Sequence, residues 1–281
     1  MTRLGERAGI VLGWAIGPVF AGISFARHAR TFHPTGETFL ANVEPFQVGA
    51  RLGEILRGPA LVRFSGALWK DERPRPDVLG CAIRFRRTWA HSPDPLPGDQ
   101  DLLFATIRHP WTMPLAPFFT NARDFQGNDY FAVSPFDAPG FERCYFRLRP
   151  NRPPRNGYRL HEEGRIERLR SAIAAGEALF RLDVRREGET RWFPLAVIDV
   201  REHAFVDQER LRFSPFRTGR DIVPRGFIHA LRRGVYALSQ LARPEDSAAQ
   251  AHLKGELSSG PGGRGSRPAR SAKQRARTTS V

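Results

Sequence analysis

The sequence predicts an α+β fold in which antiparallel strands form a barrel or sheet and helices flank it. Two observations support this prediction. Short apolar runs with polar interruptions, the pattern of β-strands, follow one another along most of the chain. The 281 residues also include 23 Pro and 26 Gly, which suits many short strands joined by loops better than a helical bundle.

The first predicted element is an uncharged apolar run at residues 8–26, with arginines on both sides. Its 19 residues approach the ~20 needed to span a bilayer, but four glycines and a proline weaken it as a helix. We expect a helix packed on the core or lying at a membrane surface. A membrane anchor is the alternative, and a cleaved signal peptide is disfavoured because no clear cleavage site follows.

The next elements are six apolar runs that predict strands. They lie at residues 38–43, 61–68, 79–85, 144–148, 178–184 and 195–200. Clusters of Pro, Gly and Asp predict the loops between them, at residues 71–77, 92–100, 135–140 and 150–157. Helical patterns predict two helices, at residues 166–175 and 222–242.

Composition divides the chain into the segment 1–26, a folded domain over 27–243 and a basic tail over 244–281. The tail is rich in Ser, Gly, Pro and Arg and lacks apolar periodicity, so we expect it to be disordered. The formal net charge is +15, of which residues 252–281 contribute +6. This basicity favours anionic partners, and we expect anionic lipid contacts through the N-terminus and the tail. No motif predicts specific nucleic-acid binding.

The sequence lacks the motifs of several common enzyme classes. Cys81 and Cys144 stand singly, so no disulfide framework is predicted and we expect a cytoplasmic protein, with membrane association left open. HExxH, GxSxG and a glycine-rich phosphate loop are absent, which argues against zinc hydrolases, serine hydrolases and P-loop enzymes. The sequence also leaves a homodimer open.

Two regions near the start of the folded domain suggest a family, and the second of them contains two motifs. Residues 30–36 read Arg-Thr-Phe-His-Pro-Thr-Gly, and residues 62–65 read Val-Arg-Phe-Ser. Residues 77–85 follow as Asp-Val-Leu-Gly-Cys-Ala-Ile-Arg-Phe. In this order the segments resemble the haem catalases, whose patterns are R-x-x-H-x-x-G, R-F-S and D-x-R-G-F-A-x-K-F.

The resemblance implies an antiparallel β-barrel of catalase type with flanking helices. The size of the domain is closer to the small catalase-related peroxidases and the catalase-like allene oxide synthase domains. It therefore implies a minimal version without the extra arms and C-terminal domain of a full catalase. The implied cofactor is haem, iron protoporphyrin IX.

The same motifs imply the distal side of the haem site. By the resemblance, His33 acts on peroxide as general base and then general acid, and Ser65 orients its imidazole. Arg30 and Arg63 would pair with haem propionates. One position departs from the pattern, because Leu79 stands where the family often has arginine.

A third region resembles the catalase stretch D-L-V-G-N-N-x-P-x-F-F-x-x-D. It comprises residues 101–103 and 117–125, and it implies that Phe118 and Phe119 line the haem pocket. The residues between the two parts contain no asparagine, although catalases use one there to position peroxide. Thr106 is our candidate for that role, with His109 and Thr112 as alternatives.

The fourth region implies the proximal iron ligand. Residues 224–236 resemble the proximal helix of catalases, in which R-x-x-x-Y is matched by Arg232 and Tyr236. The spacing places both side chains on one helical face. A tyrosine ligand must be a phenolate, although its free pKa is ~10, and a neighbouring guanidinium favours the anion.

The expected function is a haem-dependent hydroperoxidase that cleaves the O–O bond of a peroxide and is reduced by a small donor. The altered distal segment and the apolar N-terminus favour an organic or lipid hydroperoxide over hydrogen peroxide. The alternative is a catalase-fold protein that binds haem or lipid without turnover, peripheral to the membrane.

Overall fold

The computed structural model describes residues 35–47, 50–69, 71–73, 75–151 and 164–225. These residues belong to the first of two compact units in the chain, Met1–Ala242. The second unit, Arg243–Val281, lies outside the described residues. The same holds for four predicted site residues and the apolar segment: Arg30, His33, Arg232, Tyr236 and residues 8–26.

Ten strands and three α-helices make up the described structure. The strands are β1 (Thr35–Pro45), β2 (Gly58–Gly66), β3 (Leu79–Phe85), β4 (Gln100–Ala105), β5 (Tyr130–Phe131), β6 (Phe136–Ala138), β7 (Phe141–Pro150), β8 (Leu179–Arg186), β9 (Phe193–His203) and β10 (Val223–Pro224). The α-helices are α1 (Arg51–Leu56), α2 (Ala116–Phe119) and α3 (Arg165–Ala174). Two 3-10 helices span Pro110–Leu115 and Phe125–Gly127.

Eight of the strands form a closed antiparallel barrel. Neighbouring strands around it are β7, β5, β4, β3, β2, β1, β9 and β8, and β8 pairs with β7 again to close the sheet. The remaining two strands, β6 and β10, extend from β7. Closure leaves the barrel strands without free edges, which protects them from pairing with other chains.

The inside of the barrel is filled by aromatic and aliphatic side chains. Alternate residues of every long strand point inward, because successive side chains of a strand lie on opposite faces. Phe64 illustrates the packing, since its ring centroid lies 5.1 Å from that of Phe180, 5.4 Å from Phe125 and 6.4 Å from Tyr130. All four residues are at most 1% exposed, so the interior is a packed core.

The two ends of the barrel differ. At one end β1 begins, β2 ends, β3 begins and β4 ends; we call it the site end. Thr35 pairs there with Gly66, and Gly66 pairs with Leu79. At the other end, which we call the opposite end, Phe85 of β3 pairs with Gln100 of β4.

Helix α3 packs against the core near the site end. Its residues Leu169 and Ala172 are buried and belong to the barrel core. The helix ends before Gly176, whose φ of +68° is the left-handed conformation that commonly terminates helices. No helix among the described residues is both long and apolar enough to cross a lipid bilayer.

The predicted strands and the helix predicted at residues 166–175 are confirmed. All six predicted runs lie within or overlap β1, β2, β3, β7, β8 and β9, and the helix predicted at 166–175 is α3. The helix predicted from residue 222 is wrong at its start, because Val223–Pro224 is a strand. Proline disfavours the helical conformation in the residue before it. The loop predicted at 135–140 also contains β6, and β4 was not predicted.

Candidate functional site

A row of small residues crosses the outer face of the barrel at the site end. Ser65 of β2 pairs with Gly36 of β1 and with Gly80 of β3, and Gly80 pairs with Ala105 of β4. Ser65 points outward because Phe64, its neighbour in β2, lies in the core. Four adjacent strands therefore present Gly, Ser, Gly and Ala side by side, and we call this set the small-residue row.

Gly36 is required by its close contact with β2. A Cβ at this position would lie 2.4 Å from the Phe64 carbonyl oxygen and 2.6 Å from the Ser65 Cβ. It would also lie 2.9 Å from the Cζ of Arg63. Any larger residue would therefore push β1 away from the row or displace the Arg63 guanidinium.

Arg63 lies on the same outward face as Ser65, two residues earlier in β2. It pairs across the sheet with Thr38 of β1 and Ala82 of β3, and it is only 7% exposed. Its guanidinium passes close to Gly36. The structure thus brings together two predicted site residues, Arg63 and Ser65, and places a buried cation beside the small-residue row.

Thr106 directly follows β4, but its hydroxyl is already used to hold the loop. The Leu79 N–H donates to Thr106 Oγ1 at 3.1 Å, and the hydroxyls of Thr106 and Thr120 lie 2.8 Å apart. Thr120 Oγ1 also lies 2.8 Å from the Ala116 carbonyl oxygen, which can only accept. Because Thr120 has one hydroxyl hydrogen, it donates to Ala116 and Thr106 donates to Thr120.

The two alternatives to Thr106 lie in the next turn. The Thr112 hydroxyl donates to the His109 carbonyl at 2.8 Å and accepts from the His109 N–H at 3.2 Å, so it caps the 3-10 helix. Partial burial lowers the pKa of His109, and repulsion by Arg108 and Arg185 lowers it further. His109 is therefore neutral at physiological pH.

Phe118 and Phe119 are exposed aromatic residues at the site end. They lie in α2 and are 72% and 82% exposed, whereas Ala116 of the same helix is buried. Ala116 packs in a small apolar cluster with Ala67, after β2, and Val78, before β3. This cluster places α2 beside the ends of the strands that carry the row.

A buried ion pair fixes the loop that follows Ser65. Asp77 Oδ1 accepts from the backbone N–H groups of Ala67 at 3.2 Å, Leu68 at 2.9 Å and Val78 at 2.8 Å. Its other oxygen lies 3.0 Å from Arg165 Nη1 of α3, and both side chains are at most 3% exposed. The pair therefore ties the β2–β3 loop to the helix.

Neither described tyrosine is suited to be a phenolate. Burial raises the pKa of Tyr130 well above its ordinary value, and its hydroxyl donates to the Phe125 carbonyl at 2.7 Å. The pKa of Tyr145 is also raised, first by burial and then by Glu187. The other two tyrosines of the chain, Tyr158 and Tyr236, lie outside the described residues.

Several features of this site were not predicted. No recognisable sequence motif contains Ala105, Thr120 or Arg165 in these roles. The position of Leu79 inside the barrel also becomes clear only from its burial. It is 0% exposed and belongs to the core, so its departure from the family pattern does not alter the outer face in this chain. In the part of the chain that the structure describes, no three His, Cys, Asp or Glu residues gather to hold a metal ion.

Comparison with known proteins supports the fold. No protein-family model and no curated protein matches the chain. Among solved structures, a fungal catalase matches with a TM-score of 0.54 and 13% identity, over 80% of this chain and 61% of the catalase chain. The chain thus spans about three fifths of that protein. At this identity the likeness shows the fold alone: the molecule has a catalase-type antiparallel β-barrel with flanking helices.

Proposed function

We propose that the protein is a haem-dependent hydroperoxidase whose haem lies against the small-residue row. The main support for this proposal is that the small-residue row, a buried arginine and two exposed phenylalanines lie at one end of a catalase-type barrel. Haem is flat and apolar and carries two carboxylates. Its binding site therefore needs a flat surface that lacks bulky side chains, and it also needs apolar contacts and a cation. The described residues fit these needs.

Each of these residues has a distinct contact in the proposal. Gly80 and Ala105 would let the macrocycle approach the sheet closely. Phe118 and Phe119 would bury aromatic surface that is now in water, which is favourable. Arg63 would pair with a propionate through its planar guanidinium, together with Arg30.

We propose Tyr236 as the iron ligand. The Tyr130 hydroxyl is buried and donates to the Phe125 carbonyl, and burial raises the pKa values of both described tyrosines. Arg232 precedes Tyr236 by four residues in the sequence, and a guanidinium at that spacing favours the phenolate. Phenolate ligation is the mode that haem catalases use.

His33 and Ser65 would handle the peroxide proton. Thr35, the first residue of β1, pairs with Gly66 beside Ser65, and His33 is two residues earlier in the sequence. Because this sequence separation is short, we propose that His33 acts at this end of the barrel. His33 would take the proton from one peroxide oxygen and deliver it to the other, while Ser65 holds the imidazole. Bound ferric haem would supply the electrophilic iron needed for O–O cleavage.

The proposed substrate is an organic or lipid hydroperoxide, reduced with the help of a small donor. The surface around the row carries exposed apolar side chains, which suits an apolar substrate body. The Thr106 hydroxyl is committed to Thr120 and is a poor replacement for a peroxide-positioning amide. Steady-state rates with cumene or fatty-acid hydroperoxides should therefore exceed those with hydrogen peroxide.

The test is the visible spectrum of the full chain expressed with a haem precursor, beside Tyr236→Phe. We expect a high-spin ferric Soret band in the wild type that is lost or shifted in Tyr236→Phe. Tyr145→Phe is the matched control and should keep the band. A wild-type protein that is colourless and does not bind added hemin would rule out the proposal.

A second candidate is a haem- or lipid-binding protein without turnover. The commitment of the Thr106 hydroxyl favours it, because a hydroxyl that is already bonded to Leu79 and Thr120 is a poor means of positioning peroxide. Turnover of a chromogenic donor separates the two candidates. Haem-loaded protein that binds peroxide analogues but oxidises no donor would favour the second.

A further inference from the structure

A single short segment at the site end carries four exposed apolar side chains. Met113, Leu115, Phe118 and Phe119 are 46%, 54%, 72% and 82% exposed. They lie on one 3-10 turn and the four residues of α2. We call these four side chains the apolar loop. A concentration of large exposed apolar side chains of this kind marks a surface that meets a partner.

A second loop adds to this surface. Leu68 and Trp69, just after β2, are 44% and 37% exposed. The two loops are neighbours, because Ala67 and Ala116 pack in the same small cluster. The apolar loop is therefore part of a wider apolar surface at the site end.

The charges within the segment that carries the apolar loop are positive, whereas the second loop carries both signs, with Asp71 and Glu72 near Arg73 and Arg75. No Asp or Glu occurs between Asp101 and Asp124, whereas Arg108 and Arg123 lie in this stretch. An apolar surface bordered by arginines matches a bilayer that contains anionic lipid, since acyl chains accept the apolar side chains and headgroups attract the cations.

The chain also enters the barrel at this end. β1 begins at Thr35, and eight residues, which include Arg27 and Arg30, separate it in the sequence from the uncharged run 8–26. Eight residues span at most about 29 Å. In the sequence, a second apolar and arginine-bordered stretch thus precedes the strand that begins at this end.

We infer that the site end docks on an anionic lipid bilayer through Met113 and Leu115 of the apolar loop, which enter the acyl region, whereas Phe118 and Phe119 are the side chains proposed to contact haem. Docking in this orientation turns the mouth of the proposed site toward the membrane, where lipid hydroperoxides form. The inference goes beyond the proposed function and does not depend on haem, because the loop and its charges belong to the polypeptide.

The test is flotation of the full chain with vesicles of phosphatidylcholine, with and without phosphatidylserine. The wild type should bind the vesicles that contain phosphatidylserine more strongly. The double substitution Met113→Ser and Leu115→Ser should lower the partition coefficient at least about tenfold, since burial of one such side chain is worth about tenfold in an equilibrium. Neither residue is proposed to contact haem, so haem binding should not change.

Phe46→Ser is the matched control. Phe46 is 51% exposed and follows β1 at the opposite end, so its loss should leave vesicle binding unchanged. Equal binding by the double variant and the wild type would overturn the inference and would assign the membrane contact to residues 8–26 or the tail. The inference would also be overturned if the wild type did not bind vesicles and instead formed a dimer that the double variant does not form. The apolar loop would then be a contact between two copies of the chain.

Discussion

Replacement of Asp77 by asparagine should be among the most damaging single changes at the site end. The carboxylate is fully buried, accepts three backbone N–H groups and lies 3.0 Å from the buried Arg165. Asparagine keeps an oxygen for the N–H groups but removes the charge. Arg165 would then remain buried without its counter-ion, which is the costly part of the change.

The expected loss is about 3–5 kcal/mol of unfolding free energy, the range for removal of one partner from a buried ion pair. We expect the lower half of this range, because the Asn oxygen can still satisfy the backbone donors. Since whole domains are stable by only about 5–15 kcal/mol, the effect should be large in any unfolding experiment.

Urea unfolding followed by circular dichroism measures this loss. Asp94→Asn is the matched control, because Asp94 pairs with Arg210 at 2.8 Å with both side chains more than half exposed. A surface pair of this kind is worth about 0–1 kcal/mol. Arg165→Met, alone and combined with Asp77→Asn, completes a double-mutant cycle, and the double variant should be more stable than the sum of the single losses predicts.

The reasoning would be refuted by an Asp77→Asn protein that loses no more stability than Asp94→Asn. It would also be refuted by additive effects in the cycle, because independent losses would mean that Asp77 and Arg165 do not depend on each other. A changed m-value would instead indicate that the denatured or native state had changed its exposed surface.

Three further outcomes are expected. Gly36→Val should lower the unfolding free energy by roughly 1–3 kcal/mol, because its Cβ would meet the Phe64 carbonyl at 2.4 Å; an unchanged melting temperature would contradict this. Burial raises the pKa of Cys144 to about 12 and that of Cys81 well above 9, so the folded state keeps protons that the unfolded chain releases. Stability should therefore fall as pH rises from about 9 to 12, and iodoacetamide should label these thiols only on unfolding. In haem-loaded protein, Ser65→Ala should slow peroxide turnover about tenfold or more without loss of the Soret band.

The long strands could be predicted because their signal is local. Each alternates between inward and outward residues, and the inward residues are strongly apolar, as in β7 with Cys144, Phe146 and Leu148. The short strands β5, β6 and β10 have two or three residues, too few for any pattern. Their pairing depends on distant partners, such as Phe136 opposite Pro224.

The burial of charged residues could not be predicted from the sequence, because it also depends on distant partners. Basic composition suggests solvated arginines, yet Arg84 and Arg86 are at most 1% exposed. Their partners come from remote segments: Arg84 meets Asp101 and donates to the carbonyls of Pro93 and Arg212. A charged residue can be buried when several acceptors converge on it, and that convergence is a property of the folded chain.

The residues of the candidate site also differ in whether the sequence alone could bring them together. Arg63 and Ser65 could be predicted because the motif R-F-S places them in consecutive outward positions of one strand. Gly80 and Ala105 complete the small-residue row only through strand register, which the sequence does not specify. The committed hydroxyl of Thr106 depends on Thr120, fourteen residues away, so the sequence offered Thr106 as a candidate but not its partner.

Two features of the barrel support the proposed position of the haem site. The interior is filled by packed rings, so a flat ligand must lie outside it. On the outer face of β3 and β4, the opposite end is sealed by Arg84 and Asp101, and Phe213 stacks at 5.0 Å from the Arg84 guanidinium. A ligand there would have to displace a desolvated ion pair. At the site end the same two strands present Gly80 and Ala105, which carry neither a bulky side chain nor a charge, and we therefore propose the site there.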